Sequence, residues 1–168
     1  MDFDQAFELL IGHEGGFQKN PKDRGNWTSG KIGVGTLRGT KFGVSAMTYP
    51  HIAIEALTLD EAKRIYHADF WLASKTDRLP EVMRFDMFDT AVHAGPVMAV
   101  RFVQQAAKVA VDGVFGPKTT AAVQSMDQYR LFARFNGARL DFLNNNPVQW
   151  AEFGRGWAQR IADNLMRA

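Results

Sequence analysis

Between positions 15 and 50 the chain holds eight of its fifteen glycines and shows no helical periodicity, whereas the flanking sequence reads as helix almost throughout. Glycine at that density disfavours a regular helix and suits tight turns and close backbone approaches. A long irregular segment inside a compact domain is the mark of a functional loop. Short candidate strands fall near Ile32–Val34. The fold class expected is mainly α, with one small β-hairpin or loop excursion around residues 15–50.

The helices follow from spacing. Phe3, Phe7, Leu10 and Ile11 fall at i, i+4, i+7 and i+8 and predict a helix over 2–12, ended by Gly15-Gly16. Thr58-Leu59-Asp60-Glu61 has the form of a capping box, followed by Ala62, Ile65, Tyr66, Asp69 and Phe70 on one face. Pro80 and Pro96 suit first helical positions, for helices to about Ala94 and Val109. Asp112-Gly113 and Gly116-Pro117 are turn dipeptides. Helices over about 118–125, 127–144 and 148–166 complete the chain, the last two separated by Asn144-Asn145-Asn146-Pro147. Trp150, Phe153, Trp157, Ile161 and Leu165 stripe the last helix. That stripe suits core packing, with a membrane-active face as the lesser alternative.

Composition narrows the chemistry. There are no cysteines, which excludes disulfides, thiolate catalysis and a cysteine-based zinc site. His13, His51, His67 and His93 show no i, i+4 pair, so no metal site is expected. No serine sits in a nucleophile-elbow motif. No apolar run approaches the ~20 residues of a membrane span. The acidic start Met1-Asp2-Phe3-Asp4 is unlike a signal segment, so synthesis in the cytoplasm is expected. Net charge is only +2, yet positions 15–50 carry Lys19, Lys22, Arg24, Lys31, Arg38 and Lys41 against Asp23 alone. Such a face draws an anionic polymer. No nucleic-acid-binding motif accompanies it, so nucleic acid is not the expected partner.

Glu14 and Asp23 carry the chemical argument. Glu14 stands where the first helix gives way to the glycine-rich segment. A carboxyl at such a junction can be half buried, with a raised pKa and a proton to donate. Asp23, nine residues on, is the lone acid of positions 15–50. Breaking a glycosidic bond needs a proton for the leaving oxygen, and an opposing group that stabilises the oxocarbenium-like centre or positions a water. Glu14 suits the first task and Asp23 the second. Asp23 is equally suited to forming a turn within Asn20-Pro21-Lys22-Asp23-Arg24-Gly25. Thr28, Ser29 and Thr40 offer hydroxyls that could hold a water.

Glu14-Gly15-Gly16-Phe17, Asn20-Pro21-Lys22-Asp23-Arg24-Gly25 and Gly39-Thr40-Lys41-Phe42-Gly43-Val44-Ser45 together resemble the glycoside hydrolase family 108 muramidases, which include bacteriophage endolysins and related bacterial lysozymes. The stretch from Asn26 to Gly39 is longer than the family pattern. It leaves two candidates for the loop threonine, of which Thr40, followed by Lys-Phe-Gly-Val, matches better than Thr28. The segment Leu59–Trp71, the residues Phe85, Asp86, Asp89, His93 and Gly95, and the residues Asp112, Gly113, Gly116 and Thr119 continue the likeness. Phe153-Gly154-Arg155-Gly156-Trp157 closes it.

The resemblance implies a lysozyme-like helical fold. It implies a catalytic part over 1–80 and a helical, peptidoglycan-binding-like part over 81–168 packed on it, the two forming a single compact unit. The implied reaction is hydrolysis of the β-1,4 bond between N-acetylmuramic acid and N-acetylglucosamine, with Glu14 as the acid and Asp23 and Thr40 completing the catalytic set. Thr28, Arg24, Lys41 and Trp71 are the expected substrate contacts, no cofactor is implied, and a monomer is expected. The implied partner is the peptidoglycan strand, whose lactyl and stem-peptide carboxylates suit the basic loop. The enzyme would be made in the host cytoplasm and reach the wall through a separate pore. The alternatives are a lytic transglycosylase on the same bond and a non-catalytic wall-binding protein.

Overall fold

A computed structural model describes residues 1–11, 16–145 and 147–167. Among them are seven α-helices: α1 (Phe3–Ile11), α2 (Leu59–Tyr66), α3 (Glu81–Ala94), α4 (Pro96–Ala107), α5 (Pro117–Ser125), α6 (Gln128–Asn144) and α7 (Pro147–Leu165). One antiparallel pair, β1 (Thr40–Lys41) and β2 (Val44–Ser45), makes up the sheet. The fold is mainly α with a small β excursion, as expected. The chain divides into two compact units, Phe7–His67 and Met1–Ala6 with Ala68–Ala168.

The smaller unit gathers Phe7, Ile11, Val44, Ala46, Ile54, Leu57, Ala62 and Tyr66 into its interior. Phe7 and Tyr66 meet edge to face at 5.6 Å. The capping box forms as the sequence predicts: Glu61 N–H donates to Thr58 Oγ1, and Thr58 N–H donates to Glu61 Oε2. In the β1–β2 hairpin Lys41 faces Val44, so Phe42 and Gly43 form a two-residue loop, and both have positive φ. That is the backbone a type I′ turn requires. Tyr66 Oη donates to Phe42 O and holds the loop down. Burial pushes the Tyr66 phenol up to about 12, so it stays a donor at any ordinary pH.

The expected strands near Ile32–Val34 do not form. Ile32 is 59% and Val34 52% exposed. Gly30, Gly33 and Gly35 have positive φ and turn the chain repeatedly. The loop is closed instead by Thr28 N–H to Thr36 O, Thr36 N–H to Thr28 Oγ1 and Ser29 Oγ to Val34 O. Two β-branched residues between three such glycines cannot hold an extended register.

The larger unit is a helical assembly around α3, whose residues from Phe85 through Ala91 are all buried. Pro80 caps this helix from outside and does not enter its first turn. Pro96 does open α4, as expected. Leu79, Met83, Met87, Val100, Val103, Phe102, Leu131 and Phe135 fill the interior. Phe3, Trp71 and Phe88 form an edge-to-face trio with centroids 5.6–5.7 Å apart.

Asp89, 1% exposed, is the polar centre of this unit. Arg139 Nη2 (2.8 Å), Arg160 Nε (2.7 Å) and Asn164 Nδ2 (3.0 Å) all donate to its carboxylate, so α3, α6 and α7 meet on one side chain. Burial by itself would raise its pKa; the two guanidinium groups outweigh that and hold it below the usual carboxylate range. Gln104 does similar work at the Asp112-Gly113 turn. Its Nε2 donates to Asp112 Oδ1 and Val114 O, and its Oε1 accepts from Gly113 N–H.

Candidate active site

The candidate site lies in the smaller unit. Glu14, the expected acid, falls outside the described residues. Asp23, Thr40 and their neighbours are described.

Asn20-Pro21-Lys22-Asp23 closes as a turn, with Asp23 N–H donating to Asn20 O at 3.1 Å. Asp23 then caps the 3-10 turn Arg24–Asn26, its Oδ1 accepting from Gly25 N–H at 2.8 Å. The turn-forming role weighed from sequence is therefore present. It leaves Oδ2 free to accept from Gln18 Nε2 at 3.2 Å, and the side chain is exposed. The carboxylate is oriented by its neighbours and still faces solvent.

Gln18 links Asp23 to the rest. Its amide pairs reciprocally with that of Asn26: Gln18 Nε2 to Asn26 Oδ1 at 3.0 Å, and Asn26 Nδ2 to Gln18 Oε1 at 2.8 Å. Asn26 is fully buried and also donates to Asn20 O. Thr40 Oγ1 donates to Asn26 Oδ1 at 2.7 Å. The backbones of Gln18 and Thr40 exchange both hydrogen bonds at 2.9 Å. The result is one polar network, Asp23–Gln18–Asn26–Thr40, built from residues spread over 23 positions. Because the Thr40 hydroxyl proton is committed to Asn26, its lone pairs are left to accept from a water. A carboxylate that takes a proton and a hydroxyl that aligns a water are the parts an attacking water requires.

Sequence reasoning missed Gln18 and Asn26. Neither bears a charge or sits in a motif that marks it. Their value arises only when the Gln18 strand comes to lie against Thr40. Gly39 makes that approach possible: a Cβ there would fall 2.5 Å from Gln18 O and 2.7 Å from the Phe17 ring.

The other expected residues separate. Thr28 spends its hydroxyl on the Thr36 N–H and stands outside the network. Arg24 is exposed within the 3-10 turn. Lys41 Nζ donates to Glu55 O at 2.9 Å and sits 5.4 Å from the Phe42 ring centre, so it braces the hairpin. Trp71 is 5% exposed and belongs to the Phe3–Phe88 trio of the larger unit. Its ring has no open face on which a sugar could stack, which corrects the expected substrate contact. Among the described residues no group of acids and histidines is arranged to hold a metal ion.

A glycine-rich loop that carries Asp23 and packs on a small hairpin through Gln18 and Thr40, in one chain with a helical unit, fits the plan of a lysozyme-like glycosidase. The chain belongs to the glycosyl hydrolase 108 family, whose model matches residues 7–95, and it is a glycoside hydrolase. A second model, a predicted peptidoglycan domain, matches residues 98–162. Among solved structures the chain is similar to SagA of Brucella abortus, at 31% identity and a TM-score of 0.80, covering 98% of this chain and 92% of that one. No curated protein sequence matches it. Together the two models support peptidoglycan as the polymer it acts on.

Proposed function

We propose that the protein is a muramidase that hydrolyses the β-1,4 bond between N-acetylmuramic acid and N-acetylglucosamine. Glu14 is the general acid and protonates the leaving oxygen. Asp23 acts from the opposite side as base or stabiliser, with Thr40 orienting the water. The observation that carries the reading is the Asp23–Gln18–Asn26–Thr40 network, lying within the span matched by the glycosyl hydrolase model. The basic surround of that span supports an anionic glycan, and the affinity should fall with salt. An endolysin role, with synthesis in a host cytoplasm and delivery to the wall by another protein, fits the same substrate.

Mass spectrometry of fragments released from purified sacculi tests the reaction. Reducing muramic ends are expected. Anhydro ends would make the enzyme a transglycosylase, and binding without release would make it a wall-binding protein. Glu14→Gln should leave the melting temperature unchanged and abolish release; retained lysis would remove Glu14 from its role.

A further inference from the structure

A cleft of about 620 Å³ opens in the smaller unit, a size suited to a small ligand or a short peptide. Its walls are largely apolar, with Leu37, Ala53, Ile54 and Ala56 beside Thr36. Three charged and exposed residues line it as well: Lys19, Arg38 and Glu55. None of the catalytic roles above uses these residues; Lys19 and Arg38 enter only as part of the basic surround.

The cleft is coupled to the candidate site through the backbone. Lys19 directly follows Gln18. Arg38 N–H donates to Asn26 O at 2.9 Å, and Arg38 stands two residues before Thr40. The two cations are thus the chain neighbours of the groups that build the catalytic network. Arg38 Nη1 is held by Pro50 O at 3.0 Å, which fixes the guanidinium and leaves its other N–H groups to donate. Lys41, gripping Glu55 O, keeps the wall carrying Ala53 and Ala56 against the hairpin. Among the described residues no carboxylate pairs with Lys19 or Arg38.

We infer that this cleft receives the stem peptide of the muramic acid, and so makes the enzyme selective for peptide-bearing glycan. The inference rests on the muramidase reading. A peptide-bearing muramic acid sends its peptide sideways from the strand, through a lactyl ether. The first groups met are methyls, of the lactyl unit and of an alanine. A free carboxylate follows, and then the amine of a diamino acid. Aliphatic walls, two cations and one carboxylate meet those groups in kind. A neutral polymer such as chitin presents neither the carboxylate nor the amine.

Calorimetric titration of two soluble fragments tests this: the disaccharide with its tetrapeptide, and the same disaccharide without peptide. In both, N-acetylglucosamine is linked to a reducing-end muramic acid, so neither contains the bond from muramic acid C1 that the enzyme is proposed to cut. The native protein should bind the peptide-bearing fragment about tenfold more tightly, with the advantage shrinking as salt rises. Lys19→Ala/Arg38→Ala should lose the advantage and keep its affinity for the bare disaccharide. Ala56→Trp, which fills the cleft and leaves every charge in place, should do the same; melting curves of both variants accompany the titrations. Equal affinity of the native protein for the two fragments would overturn the inference, as would an advantage that survives both variants. Release from sacculi, assayed in parallel, separates the two claims. A peptide advantage without reducing ends leaves the cleft standing and removes the muramidase. Reducing ends without a peptide advantage do the reverse.

Discussion

Asp23 caps a turn and, in the mechanism proposed, also supplies a catalytic charge; substitution can separate the two. Asparagine keeps an oxygen for Gly25 N–H but gives up the charge, so Asp23→Asn should melt close to the native protein and lose most of its lytic rate. Alanine removes the cap as well and should cost about a further 1 kcal/mol in denaturant titration. If Asp23→Asn unfolds as readily as Asp23→Ala, the charge itself is structural. Asp86 makes the opposite case. It is buried beside Asp89, its Oδ1 accepts no hydrogen bond, and Arg139 Nη1 stands 3.6 Å away, too far to donate. Burial, opposed in part by Asn136 and Arg139, pushes its carboxyl from 3.8 to about 6. A carboxyl raised on folding favours the protonated native state. The associated stability is present below the unfolded value near 4 and lost as pH climbs through about 6. Asp86→Asn, permanently neutral, should therefore gain stability over the native protein at pH 8, by up to about 3 kcal/mol, and show no gain below pH 4. Thermal melts across that range read the difference directly.

At the scale of elements, the hairpin is the part most exposed to single changes. Gly43 has φ of +75°, and a Cβ there would lie 2.2 Å from Tyr66 Oη. Gly43→Ala should lose the left-handed allowance, worth roughly 1–2 kcal/mol, and clash with the phenol besides. Adding Tyr66→Phe removes the clash and leaves the backbone cost together with the lost hydrogen bond to Phe42 O. The double variant should then be more stable than Gly43→Ala alone; additive losses in a double-mutant cycle would mean the phenol is not the obstacle. The helices were legible because each carries its own signals. The Thr58–Glu61 box, Pro96 at a first turn and the 3.6-residue apolar spacing act within a few residues. The Ile32–Val34 strands were misread for the converse reason: β-branched side chains suggest extension, but the positive-φ glycines around them turned the chain. Pro80 stands at the N-cap, one position before the first helical residue of α3.

For the molecule as a whole, the Asp89 cluster joins the two matched regions. Asp89 falls in the span of the glycosyl hydrolase model, while Arg139 and Arg160 fall in that of the peptidoglycan domain. The larger unit is thus continuous through the join at residues 95–98, and the peptidoglycan-domain region is no detachable tail. Arg139→Met should cost about 3–5 kcal/mol in equilibrium unfolding, because it strips a partner from a buried carboxylate. A loss under 1 kcal/mol would show that Arg160 and Asn164 suffice. The sequence by itself determined the helical class, the glycine-rich interruption and the family, since these rest on local spacing and ordered motifs. Tertiary structure alone decided that Asp23 reaches Thr40 through Gln18 and Asn26, that Thr28 closes a different loop, and that Trp71 is a packing residue. Those outcomes depend on which strands approach each other in space. A neutral amide gains its importance from the partner it meets, and an indole loses its open face to the rings packed around it.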